Sequence, residues 1–355
     1  MQLTKSASLH PSVFKPLLLI SPFFLWGTAM VAMKGVIPHT TPFFLAGMRI
    51  LPAGILVLIA AAIMGKPQPQ GWKAWLWIAL FGLVDGALFQ GFLAQGLVRT
   101  DAGLGSVMID SQPLAVALLS SWLFAEKIGL YGWLGLAIGV TGISLIGLPD
   151  ELIFSIFSNT AEYKAMISQS FFQSGEFLML LAALSMALGT VMIRFVTRHG
   201  DAVTATGWHM VLGGLPLWGI SATTETQQFE NLVPSDWIAL GYAAVFGSAI
   251  AYGMFFYFAS AGNLTSLSSL TFLTPVFALI FGNILLNEVL SVLQWVGVTI
   301  TLVSIYLINQ RQTLGKQNKQ EALPEIRIQS VSEESNSKLK PLKIPVKQSE
   351  PQILP

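Results

Sequence analysis

Cysteine is absent from this 355-residue chain. That excludes disulfides, thiolate metal sites, iron–sulfur clusters and cysteine nucleophiles. Charge is scarce: 10% of residues are Asp, Glu, Lys or Arg, against about 25% in a soluble domain. A net charge of +1 gives no footprint for a nucleic-acid partner. The four histidines (His10, His39, His199, His209) are scattered, and neither HExxH nor GxSxG occurs. No metal site and no cofactor are expected. The first apolar run is a full span without a convincing cleavage site, so no cleavable signal peptide is expected.

What the chain has is apolar length. It is 53% hydrophobic, with a mean hydropathy of +0.65. Ten runs of about 20 residues match a hydrocarbon core of about 30 Å. They fall at 16–37, 43–64, 74–97, 103–124, 129–148, 178–199, 203–222, 236–259, 265–286 and 291–310. A transmembrane barrel would show period-2 alternation instead. The prediction is an all-α polytopic membrane protein.

One stretch occurs twice. Ser111–Trp133, SQPLAVALLSSWLFAEKIGLYGW, aligns without a gap on Leu273–Trp295, LTPVFALIFGNILLNEVLSVLQW, 162 residues later. Pro113 meets Pro275, Glu126 meets Glu288, Trp133 meets Trp295 and Gly135 meets Gly297. The same offset pairs Gly27-Thr28 with Gly189-Thr190, Met30 with Met192, Trp75 with Trp237 and Ser106 with Ser268. Shared Leu, Ala and Gly would mean little in apolar helices. Shared Trp, Pro and Glu in constant register point to internal duplication. Five spans is an odd number, so the second copy enters from the opposite side. The ten transmembrane helices are therefore expected as two inverted five-helix repeats.

The expected domains are a cytoplasmic segment 1–15, a first repeat 16–148, a linker 149–176, a second repeat 177–310 and a tail 311–355. The linker mixes apolar and charged residues and reads as an amphipathic surface segment or a plain loop. The tail, rich in Gln, Ser, Lys, Glu and Pro, is expected to be disordered. With the N-terminus inside, Lys5, Lys15, Lys66, Lys73, Lys127, Arg194, Arg198 and the basic-rich tail lie inside. Only Lys34, Arg99 and Lys164 lie outside, with most of the loop acids. Both termini are then cytoplasmic.

Trp26-Gly-Thr-Ala-Met-Val-Ala-Met-Lys34, Arg49 in FFLAGMRILPAG and the two Pro…Glu…Trp-x-Gly blocks carry a resemblance. Over about 16–310 the chain resembles ten-span EamA-type members of the drug/metabolite transporter superfamily. The resemblance implies secondary transport, often efflux of amino acids or other small metabolites. It also implies a central cavity within helices 1–4 and 6–9, with helices 5 and 10 peripheral. Asp85 and Asp110 stand outside the family's pattern.

The candidate site residues are polar groups that spans bury only at a cost. Asp85 in span 3 and Asp110 in span 4 are candidate proton or substrate-amine sites; their duplicates are Gly247 and Phe272, so the fold does not require the acids. The competing reading for both is a protonated acid in helix packing. Arg49 sits deeper than Lys34, which can snorkel, and either can pair with Asp110. Gln90, Gln95 and Gln112 can bind a solute or join helices. His209 is the residue type whose charge changes most easily at neutral pH. Trp26, Phe92, Tyr252 and Phe256 form a candidate aromatic wall, with core packing the alternative. Glu126 and Glu288, being duplicated, read as architectural. Pro113 and Pro275 read as hinges or ordinary helix shapers.

The leading functional reading is a secondary transporter of small organic metabolites such as amino acids. It is expected to export by alternating access, with protons as the candidate coupling ion. Its partners are a small solute, the lipid bilayer and protons, in the plasma (inner) membrane. The alternative is a membrane-embedded enzyme, or a sensor or scaffold that would leave the inverted symmetry without a use.

Overall fold

The computed structural model describes residues 11–99, 108–147, 175–286 and 291–321; within these, the side chains of 11–15, Lys34, Glu176, Leu286 and 311–321 are outside the description. Ten helices are traced among the described residues. They are α1 (Pro11–Lys34), α2 (Pro42–Ile63), α3 (Gly71–Arg99), α4 (Gln112–Phe124, preceded by helical 108–110) and α5 (Gly129–Gly147). The second set is α6 (Gly175–Val196), α7 (Ala202–Thr224), α8 (Pro234–Ala261), α9 (Leu264–Leu285) and α10 (Val292–Glu321). Eight are long and apolar enough to cross a membrane. The other two are α4, described only from residue 108, and α7, whose hydroxyls and His209 dilute its hydropathy.

The repeats are interleaved, not side by side. α2 packs on its own duplicate α7, and α5 on its duplicate α10. α4 also meets its duplicate α9, and further contacts come in exchanged pairs: α1 with α9 and α6 with α4, α3 with α7 and α8 with α2. Close glycine contacts fix direction. A Cβ at Gly47 would meet Trp218, at Gly214 Leu51, at Gly54 Gly207 and Met210, and at Gly207 Leu58. One number rises as the other falls, so α2 and α7 are antiparallel. The α5–α10 pair follows the same rule, with Gly135 against Ile308 and Gly142 against Thr301. Duplicates that pack antiparallel on each other are inverted copies. In a bilayer, where lipid competes with any apolar partner, such small-residue seams let backbones approach closely enough to gain dispersion contacts. Ser304 adds a hydrogen bond to the Gly135 carbonyl at 2.6 Å.

The duplication also extends to backbone irregularities. α3 widens to i→i+5 hydrogen bonding over Gly82–Phe89, and α8 over Val245–Ile250, in the same repeat register. A turn at Ser111 breaks the start of α4, and a tight turn at Leu270–Phe272 interrupts α9. Each break lies just before the duplicated proline. Pro113 and Pro275 donate no N–H and crowd the carbonyl four residues back. Exposed Trp72, Trp122 and Trp133 mark one end of the bundle, and Trp237 and Trp295 mark the other. Because Trp133 and Trp295 are duplicates, the same module supplies an interfacial aromatic to both ends.

Consecutive helices alternate in direction. One face of the bundle bears the start of α1 and the end of α10, here the termini face. The other bears the α1–α2 connection, here the loop face. α10 runs on to Glu321, past the expected end at 310, because Gln, Lys and Arg favour helix and the first proline comes at Pro324. Most of the linker, and residues 322–355 of the tail, lie outside the described residues.

Candidate functional site

A cavity of about 350 Å³ opens inside the bundle. Its lining comes from both copies and reaches from mid-depth toward the loop face. α1 supplies Trp26, Met30 and Met33, and α2 supplies Leu45, Ala46 and Arg49. α3 gives Phe89, Gln90 and Leu93; α4 gives Ile109, Asp110 and Gln112. From the second copy come Met179 and Met186 of α6, Tyr252 of α8, and Thr271, Thr274 and Pro275 of α9. α5 contributes Ile146, whereas α7 and α10 do not reach the lining.

The local sequence explains why these side chains point inward. The widened segment of α3 ends at Phe89, and Gln90 opens the regular helix that follows. Gln90 donates to the Tyr252 hydroxyl at 2.9 Å, deep in the protein. The two are duplicates, so this hydrogen bond crosses the pseudo-two-fold axis at mid-depth. Gln112 and Thr274 are also duplicates, each one residue before the repeat's proline. Gln112 donates to Thr190 Oγ1 at 3.1 Å. Several polar atoms on cavity residues have no partner among the described residues: Trp26 Nε1, Arg49 Nε, Gln112 Oε1 and Thr274 Oγ1. Buried polar groups in soluble and membrane proteins alike are nearly always satisfied. All four belong to residues that line the cavity. Asp110, 8% exposed, is engaged within the chain.

Below the cavity, toward the termini face, aromatic rings form a floor. Trp26 packs against Tyr252 and Phe255, both at 5.1 Å between centroids, and against Phe23 at 5.6 Å. Phe256 meets Phe81 at 4.9 Å. Asp85 and His209 are buried in this layer and outside the cavity lining. His209 Nε2 lies 3.2 Å from Asp85 Oδ2, and the imidazole stacks on Phe81 at 4.0 Å. Asp85 Oδ1 and His209 Nδ1 have no hydrogen-bond partner among the described residues. A Cβ on Gly189 would strike the Asp85 carboxylate, so that glycine makes room for the acid.

Of the residues singled out in the sequence, Trp26, Arg49, Gln90, Asp110, Gln112, Tyr252 and Pro275 line the cavity. No carboxylate among the described residues is within ion-pair distance of Arg49. Gln95 accepts from Arg99 at 3.2 Å in an exposed setting, and Phe92 packs on the core. Pro113 is buried beside Gln112. Glu126 caps α9, accepting from Leu264 and Thr265 N–H at 3.1 and 3.3 Å and from Thr265 Oγ1 at 2.9 Å. Arg194 lies 3.4 Å from the same carboxylate. The Lys34 side chain and Glu288 lie outside the described residues. Sequence reasoning missed Thr274 and the cavity methionines. Thr274's signal was its register opposite Gln112, while four methionines in apolar helices carried none. Among the described residues no cluster of His, Asp and Glu could hold a metal.

The model of the EamA-like transporter family matches residues 14–148 and again 173–310. The chain belongs to the EamA-like transporter family. The double match follows the duplication seen in the helices. The chain is 64% identical to an uncharacterized transporter of Synechocystis sp., over 84% of this chain and 90% of that protein. It is 55% identical to a chloroplastic WAT1-related protein of Arabidopsis thaliana, over 82% of this chain and 68% of that one. Protein PecM of Dickeya dadantii is 29% identical over 83% and 92%. A crystal structure with 16% identity superposes with a TM-score of 0.66 over 82% of this chain and 96% of the other, which shows the shared fold. This is an integral membrane transporter.

Proposed function

We propose that this transporter exports small organic metabolites such as amino acids by alternating access, across the plasma (inner) membrane with both termini cytoplasmic. The observation that carries this reading is the one-sided cavity: solute-sized, lined by both inverted copies, and floored by aromatics toward the termini face. Inverted copies can exchange their packing so that a mid-depth site faces each side in turn. In the proposed orientation this arrangement faces outward, ready to release solute. No covalent chemistry is required. The Asp85–His209 pair carries the coupling proton in this reading: it joins a helix of each copy, and two of its polar atoms have no partner among the described residues.

Proteoliposomes test it directly. With an inward-acidic or inward-alkaline gradient, amino-acid flux is expected to change at least several-fold, and Asp85→Asn is expected to retain exchange but lose the gradient response. Absence of flux for every solute offered, or a chemically altered product, would remove the export reading. Flux indifferent to pH in the wild type would remove only the proton. Because the chain lacks cysteine, single cysteines report orientation. Leu97→Cys, on the cavity wall, should react with an impermeant thiol reagent added outside intact cells.

A further inference from the structure

Among the described residues, Arg49 is the cationic side chain of the cavity lining. Its Nε is buried without a partner, and no described carboxylate is within ion-pair distance. An unpaired guanidinium inside a membrane bundle is costly, and such charges mark solute or ion paths. The acid sharing the cavity, Asp110, is not free to neutralise a solute, since it is engaged within the chain. The other unpartnered atoms lean the same way. The indole N–H of Trp26 only donates, and the Thr274 hydroxyl can donate. Among the described residues, the Gln112 carbonyl is the unpartnered cavity atom that can only accept. Donors therefore dominate what the wall offers, beside a fixed positive charge.

We propose that the transported solute is an organic carboxylate whose head docks on Arg49, with Trp26 and Thr274 as further donors. This assignment rests on the transport function proposed above. The apolar body lies against Met30, Met33, Met179 and Met186. Methionine is unbranched and polarizable, so such a wall adapts to many shapes. A volume of about 350 Å³ is at the small end of ligand pockets. The site selects for charge at one end and tolerates variety at the other.

The test uses one body with three heads: 3-phenylpropionate, 3-phenylpropionamide and 3-phenylpropylamine, titrated into the purified full chain in nanodiscs. The acid is expected to bind about 10- to 100-fold more tightly than the amide, the range for hydrogen bonds to a charged partner. The amine is expected to bind worst. Arg49→Gln, checked for folding by its thermal transition, should erase the acid-over-amide gap while leaving amide binding within about threefold. Where that variant does not fold, the wild-type gap decides alone. Equal acid and amide affinities, preference for the amine, no binding of any probe, or a gap that survives in folded Arg49→Gln would each overturn the carboxylate assignment. Counterflow of a solute with no carboxylate would overturn it too, while leaving the transporter reading intact.

Discussion

The two ends of this bundle are built by the same module, yet one holds a cavity and the other is sealed. On the termini side, Trp77 stacks on Phe195 at 5.4 Å with ring planes 12° apart. Phe124 leans on Phe195 at the same separation, and Arg194 covers Phe124 while reaching the Glu126 carboxylate. On the loop side the duplicate positions of Trp77 and Phe195 are Ala239 and Met33. These two meet in one small apolar cluster with Leu45 and Leu240. The duplicate of Arg194 is Ala32. Duplicate helix pairs, α3 with α6 and α8 with α1, thus meet at opposite ends, with large rings and a charge at one and small or flexible side chains at the other. In the proposed alternating-access cycle, inverted symmetry supplies two equivalent gates, and side-chain volume decides which is shut in this conformation.

The largest expected effect tests the scaffold beneath both gates. A Cβ at Gly213 would lie 2.4 Å from the Gly86 Cα, backbone against backbone. Nothing flexible can yield there, so Gly213→Leu should cost more than about 3 kcal/mol. Loss of monodisperse protein on size exclusion checks it. The duplicate of Gly213 is already Leu51, so the α2–α8 contact has a side chain where α3–α7 has none.

A second experiment moves the seal. Trp77→Ala removes a stacked, half-buried ring, worth about 1–3 kcal/mol. It should let a cysteine at Met186, on the cavity wall, react from the termini side as well. The reverse design, Met33→Phe with Ala239→Trp, should close the loop side. Labelling from outside would then fall, with solute flux reduced at least tenfold. If neither change alters the sidedness of labelling, the rings at 77 and 195 are packing and not a gate.

The smallest expected effect concerns the cap. Glu126→Gln keeps the shape of the acceptor but loses its charge at the N-terminus of α9 and opposite Arg194. A loss of about 1–2 kcal/mol is expected, read as a modestly lower thermal midpoint. A change in sidedness with unchanged stability would instead make the Glu126–Arg194 contact a latch.

The helices and their duplication were legible because membrane burial writes itself along the chain as length and apolarity. The ten expected spans match the traced helices to within a few residues, apart from the α4 start beyond description and the α10 extension. Pro113 and Pro275 read as hinges or ordinary helix shapers, and the turns in α4 and α9 lie just before them. The site was legible only in part. Arg49, Asp110 and Gln112 stood out as polar groups in apolar runs and Tyr252 as part of an aromatic wall, and they meet at one cavity. Asp85 and His209 stood out for the same reason but pair away from it, since composition ranks the cost of burying a group without saying what it faces. Glu126 read as architectural from its duplication, but the helix it caps, α9 of the other copy, is not named by the sequence.

The sequence alone determined that the chain spans a membrane, that it is one module used twice, and that an odd span count turns the second copy over. Those features depend on local apolarity and on register, which a linear string records. Only the tertiary structure decided that Gln90 bonds to its own duplicate, that Asp85 finds His209, and that Arg49 lines the cavity with no counter-charge among the described residues. Such pairings depend on which faces of distant helices meet, and in a bilayer that is set by close packing of small residues rather than by hydrophobicity along the chain.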